Sequence, residues 1–163
     1  MKPQLYWIAT GQPGRLAIAP RPRGGDWLED EARSWRVAGV DAVVSLLEPD
    51  EEMQLDLASE HAAVESSGMR YIPFPIPDLG IPKQTATGLL TDISEHLAAG
   101  RNVIVHCRQG VGRSGMITAA VLVNLGAPAE QAFAIVSAAR GVTVPETPDQ
   151  VRWLKGLSHL VAG

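Results

Sequence analysis

Ten consecutive residues, His106-Cys107-Arg108-Gln109-Gly110-Val111-Gly112-Arg113-Ser114-Gly115, bring together a thiol, two arginines, an imidazole, a hydroxyl and three glycines. Gly110 and Gly112 permit the tight curl in which successive backbone N–H groups point into one concavity. A helix that starts at the end of such a loop adds its own unpaired N–H groups and the positive end of its dipole. The result is a cradle for a tetrahedral dianion, lined by Arg108, Gln109, Gly110, Val111, Gly112 and Arg113. Arg113 can fork two N–H donors onto two phosphate oxygens, a planar recognition that lysine does not reproduce. Cys107 lies at the base of the same positive concavity, where a thiol loses its proton easily and becomes a nucleophile aimed at phosphorus. His106 can donate to nearby backbone and stiffen the loop. The Ser114 hydroxyl can donate to the sulfur and improve it as a leaving group.

This segment resembles the active-site loop of the cysteine-dependent protein tyrosine and dual-specificity phosphatases, whose pattern is His-Cys, five residues, Arg, then Ser or Thr. The resemblance runs from roughly Arg23 to Leu154 and is to the small dual-specificity and kinase-associated branch. It implies an α/β phosphatase fold, hydrolysis through a phosphocysteine, and an aspartate on a loop about thirty residues before the cysteine. Asp78, in Phe74-Pro75-Ile76-Pro77-Asp78-Leu79-Gly80, stands 29 residues before Cys107 and matches that position. One carboxyl group there can protonate the leaving oxygen and later deprotonate water. Asp92, inside a helix, is the fallback. Gln150 resembles the glutamine with which some members hold the attacking water, but Thr147-Pro148-Asp149-Gln150 also spells a helix capping box.

Low-molecular-weight phosphatases and arsenate reductases place their loop near the N-terminus, and rhodanese-like sulfurtransferases have a shorter one. The expected substrate is a phosphorylated protein or peptide carrying phosphotyrosine, with phosphoserine and phosphothreonine left open. Two alternatives stay open: a phosphoinositide phosphatase of the same superfamily, and a phosphoprotein-binding pseudophosphatase. Arg140 could help to bind substrate or simply complement a helix C-terminus. Arg15, Arg21 and Arg23 could attract acidic flanks or simply lie in a solvated loop.

The elements that must position these groups follow from pattern. Leu5–Ala9 and Leu16–Ala19 are short apolar runs around a turn-rich segment and read as strands. Asp26, with Glu29 three residues on, predicts a capped helix from Trp27 to Ala38, ended by Gly39. Asp41–Leu47 is a continuous apolar run, the mark of a strand buried on both faces. An acidic loop at Pro49 to Glu52 then leads into a helix reaching Ser66. Arg70–Phe74 is the next strand, after which Pro73, Pro75 and Pro77 alternate and exclude a central strand. A helix over Lys83–Ala99, a buried strand over Asn102–His106, and helices over Arg113–Asn124 and Pro128–Arg140 follow. The last helix starts at Thr147, with Pro148 at its first position. Strands separated by helices predict one α/β domain over residues 1–163, with a central, mostly parallel sheet flanked by helices.

Composition bounds the rest. Hydrophobic residues make up 45% and charged residues 20% of the 163, a globular balance. A net charge of −4 provides no basic field for nucleic acid or anionic lipid. With Cys107 the single cysteine, there is no internal disulfide and no zinc set, and His61, His96 and His159 lack metal-ligand spacing. No cofactor is expected. Trp27, Trp35 and Trp153 read as core packing. The apolar run Met116–Ala127 is too short to span a bilayer. The expectation is a cytoplasmic, monomeric protein that binds neither nucleic acid nor membrane.

Overall fold

The computed structural model describes residues 2–162, and of residues 158–162 the backbone alone. Five strands form one sheet: β1 (Tyr6–Ile8), β2 (Leu16–Ala19), β3 (Ala42–Ser45), β4 (Arg70–Pro73) and β5 (Val103–His106), in the order β1-β2-β5-β3-β4. β1 runs antiparallel to β2 at one edge, and every other pairing is parallel. β5 is central, with His106 in register with Ala19 on one side and Ser45 on the other.

Side-chain alternation along the buried strands builds two cores. Leu16, Ile18, Val44, Val103 and Val105 face one side. There they meet α4 (Thr87–Ala98), α5 (Gly112–Asn124), α6 (Ala129–Arg140) and α7 (Pro148–Ala162). Ala17, Ala19, Val43 and Ile104 face the other side, against α1 (Leu28–Val37) and α3 (Glu60–Ser66). Both faces are therefore covered, as a parallel sheet requires. Every residue of α5 from Gly112 to Val123 is buried, which makes it the central helix of its layer. At Gly115 an added Cβ would stand 2.6 Å from Cβ of Val144, so this helix passes its neighbour at a distance only glycine allows.

Several expectations change in detail. Asp26 does not cap a helix with Glu29: Gly25–Trp27 is a 3-10 turn, and α1 begins at Leu28 without a side-chain cap. That turn leaves Trp27 55% exposed with the Arg23 guanidinium 4.2 Å above its ring, so it is not core; Trp35 is, at 2%. Trp153 is partly buried against the first core. The acidic stretch is no loop but a helix of its own, α2 (Pro49–Gln54), with Pro49 at its first position and a capping box between Glu48 and Glu51. The helix expected to continue to Ser66 is broken after Gln54. Asp56 adopts a left-handed conformation, φ 57, its carbonyl accepts from the Gly25 N–H at 3.0 Å, and Leu57 turns into the core. α4 begins at Thr87, a turn later than Lys83. Pro73, which ends β4, and Pro75 and Pro77 after it lie at the sheet edge. Between them the N–H groups of Phe74 and Ile76 bond to Ser45 and Leu46 at 2.8 and 3.0 Å, so the proline nitrogens fall where no ladder partner is needed. Among the described residues no helix is long and apolar enough to cross a membrane.

Candidate active site

The loop from Cys107 to Val111 leaves the carboxyl end of β5 and enters α5 at Gly112, the position at which open α/β sheets bind ligands. Gly110 takes φ 76, and a Cβ there would press on Ile18 and the Ala19 carbonyl at 3.2 and 3.3 Å. The turn brings the Gly110 N–H to 3.3 Å from the Cys107 sulfur. Burial alone would raise the Cys107 pKa. The hydroxyl and N–H of Ser114, the Gly110 N–H and the Arg113 cation outweigh it and hold the thiol below its ordinary value. Ser114 Oγ is fully buried and, among the described residues, has no hydrogen-bond partner of ordinary geometry, which leaves its donor to the sulfur beside it.

The loop is fastened from outside. Arg140, at the C-terminal end of α6, lies 4.2 Å over the Tyr6 ring and donates from Nε to the Gly110 carbonyl at 2.7 Å and from Nη2 to that of Gln109 at 3.4 Å. Arg21 donates to the Arg108 carbonyl at 3.2 Å. With these carbonyls engaged from outside, the Gly110 and Ser114 N–H groups are turned to the Cys107 sulfur. Arg140 thus acts on the loop backbone rather than as a surface cation.

Arg113 is 2% exposed and its guanidinium is held by Glu51, a residue the sequence reading did not single out. Nη1 donates to Glu51 Oε1 at 2.6 Å and Nη2 to Oε2 at 2.9 Å, a bidentate pair that fixes the guanidinium plane. Nη1 also donates to the Ile76 carbonyl at 3.0 Å. Burial raises the Glu51 pKa, but the bonds from Arg113 and from the Glu48 N–H, together with the Arg113 and Arg108 charges, bring it below the ordinary carboxylate value. The signal available in sequence was position: Glu51 follows β3, the neighbour of β5, by one loop. An acidic run there looks solvated until the sheet order is known.

Asp78 reaches the same guanidinium, with Oδ1 3.2 Å from Arg113 Nη2, while its carboxyl remains 58% exposed. Its turn closes with the Gly80 N–H on the Pro77 carbonyl at 2.9 Å and forces Leu79 to φ 60, an uncommon conformation for a residue with a side chain. Asp78, Leu79, Cys107, Arg108, Gln109, Arg113 and Glu146 line one cavity of about 220 Å³. Asp92 is elsewhere, paired with Arg70 at 3.3 Å.

Gln150 is fully buried and is the capping residue its motif spells. Its Oε1 accepts from the N–H groups of Glu146 and Thr147 at 3.1 and 3.3 Å, and its own N–H donates to Thr147 Oγ1 at 3.2 Å. Its Nε2 donates to the Gly80 carbonyl at 3.0 Å and so ties α7 to the loop that carries Asp78. His106, also fully buried, has Nδ1 3.2 Å from the Cys107 carbonyl and Nε2 2.5 Å from Oε2 of Glu60. The side chain of His159 lies outside the described residues.

A family model described as the DSP-PTPase phosphatase of polymorphic toxin systems (Tc-R-P) matches residues 19–127. Among solved structures, Tk-PTP in its active form is 30% identical over 98% of this chain and 99% of its own, with a TM-score of 0.80. Kinase associated phosphatase, with serine in place of its catalytic cysteine, superposes over 100% of this chain and 98% of its own at TM-score 0.90 and 17% identity. PTPMT1 in complex with PI(5)P does so over 96% and 97% at TM-score 0.76 and 20% identity. The last two likenesses are of fold. No curated protein sequence is significantly similar.

Proposed function

The chain belongs to the DSP-PTPase phosphatase family, within the small dual-specificity branch of the cysteine phosphatases, and from that premise we propose that it dephosphorylates proteins through a phosphocysteine intermediate. The observation that carries this reading is the meeting of three groups in one cavity: the low-pKa thiol of Cys107, the guanidinium of Arg113 and the carboxyl of Asp78.

In the first step Cys107 Sγ attacks phosphorus in line. The S–P bond forms, the P–O bond to the leaving group breaks, and Asp78, protonated at the start, gives its proton to the departing oxygen. In the second step Asp78 takes a proton from water, the water oxygen attacks phosphorus, and the S–P bond breaks. Ser114 donates to the sulfur as it leaves. Arg113 and the loop N–H groups carry the charge on the equatorial oxygens in both transition states. Gln150 acts by holding the Asp78 loop through Gly80, in addition to any contact with water.

A second reading, a lipid phosphate, draws on the fold shared with PTPMT1 bound to PI(5)P. It also draws on Leu79 and Ile81, 56% and 39% exposed, which flank Gly80 on the loop carrying Asp78. The experiment compares kcat/KM on matched phosphotyrosine and phosphothreonine peptides and on phosphoinositide, in EDTA, with Cys107→Ser as control. Peptide turnover that disappears in Cys107→Ser supports the protein reading, and turnover of the lipid alone replaces it. Binding without turnover of any substrate marks a phosphoprotein-binding module.

A further inference from the structure

Glu60 is the buried charge that the reaction scheme leaves unused. It is 0% exposed at the start of α3, on the face of the sheet opposite α5, and contacts the residue immediately before the nucleophile. Its Oε2 is 2.5 Å from His106 Nε2, and its Oε1 is buried with no hydrogen-bond partner among the described residues. A carboxylate removed from water and left half unsatisfied is costly unless a cation neutralises it. Among the described residues the imidazole is the group in contact that can do so. Its other nitrogen is engaged with the Cys107 carbonyl at 3.2 Å, an acceptor, so both ring nitrogens face acceptors and both have reason to carry a proton.

We propose that Glu60 is a positioning residue that keeps His106 doubly protonated, so that a buried imidazolium stands behind the phosphate loop and favours the Cys107 thiolate from the side opposite Arg113. The surroundings agree. Burial pushes the His106 pKa down, but the Glu60 charge, its hydrogen bond, the Cys107 carbonyl and the Cys107 charge more than reverse it. The groups that face this pair from the packed elements are Glu52 of α2, Tyr71 of β4 and the Trp35 ring of α1, 6.0 Å from the imidazole, with Ser45 of β3 beside His106 in the sheet. Burial and Glu60 raise both Glu52 and Tyr71, and neither supplies a competing cation. Arg113, the cation on the far side of the thiol, is already paired with Glu51.

The proposal rests on Cys107 as the nucleophile, and its test reads the thiol directly. Because Cys107 is the single cysteine, alkylation by iodoacetamide against pH titrates it alone. Glu60→Gln keeps the shape and a hydrogen bond but removes the charge. The expected result is a thiol midpoint higher by about one pH unit, and alkylation roughly tenfold slower on the acidic limb, with the alkaline plateau unchanged. The acidic limb of kcat/KM should move with it. In the wild-type protein, NMR of ¹⁵N-labelled histidines should show both His106 nitrogens protonated at neutral pH. A neutral His106 there, or an unshifted thiol midpoint in folded Glu60→Gln, overturns the proposal. If Glu60→Gln does not fold, the wild-type spectrum decides alone. Hydrolysis that survives in Cys107→Ser would defeat the nucleophile reading and leave the Glu60 titration result interpretable on its own.

Discussion

In the proposed reaction Arg113 has to bind a phosphate while already held by two carboxylates. Glu51 takes one edge of the guanidinium in a bidentate pair that substrate need not disturb, whereas Asp78 makes a single contact from an exposed loop and can swing to a leaving oxygen. Their roles differ because their burial does. Glu51→Ala leaves a buried guanidinium without its partner, and we expect a loss of about 3 kcal/mol, read as a lower denaturation midpoint. Phosphate inhibition should weaken in the same variant. The folded-state pKa of Glu51 is lowered, so the pair's stabilisation is complete above the unfolded value of about 4.3 and is lost as pH falls through the folded one. In Glu51→Gln that part of the acid sensitivity should be missing from the stability–pH curve. Arg113→Lys retains charge without the fork, and kcat/KM should fall by about 10²-fold or more. A near-normal rate would remove Arg113 from the scheme.

At the scale of elements, the site depends on how two loops and one pair of helices are held. Arg140 fastens the phosphate loop from α6, Gln150 fastens the Asp78 loop from α7, and Glu51 joins α2 to α5 through Arg113. In Arg140→Ala the carbonyls of Gly110 and Gln109 lose their donors, and kcat/KM should drop by about tenfold with little change in the secondary-structure spectrum. Gln150→Ala removes a cap and the Gly80 tie together. It should cost about 1 kcal/mol in stability and lower kcat several-fold by loosening the loop that carries Asp78. Much of this scale was legible in sequence. The strand-to-helix setting of Cys107, the extended, non-central character of the proline run and the capping box at Thr147 each follow from local rules. Glu51, Glu60 and the loop contacts of Arg140 did not follow, because their partners lie 62, 46 and 30 residues away and only the sheet order brings them together. The break at Asp56 escaped for a related reason: besides the local bond from its N–H to the Met53 carbonyl, the left-handed aspartate has its carbonyl held by the Gly25 N–H, 31 residues away.

The whole molecule delivers one strand end. β5 lies between β2 and β3, both faces of the sheet are covered, and α5 is buried on all sides, so the thiol and Arg113 rise from the most constrained part of the chain. The groups that must move or adapt, Asp78 and Leu79, lie at the exposed rim. In the proposed reaction that division would give a rigid phosphate cradle with an adjustable mouth, and substrate choice would fall to the rim. The central claim is a covalent phosphocysteine at Cys107. Asp78→Ala, mixed with an activated aryl phosphate whose leaving group needs no proton, should complete the first step and stall in the second. Rapid quenching and peptide mass analysis should then find one phosphoryl group on the peptide containing Cys107, absent in Cys107→Ser. Aryl alcohol released while that peptide stays unmodified would contradict the account.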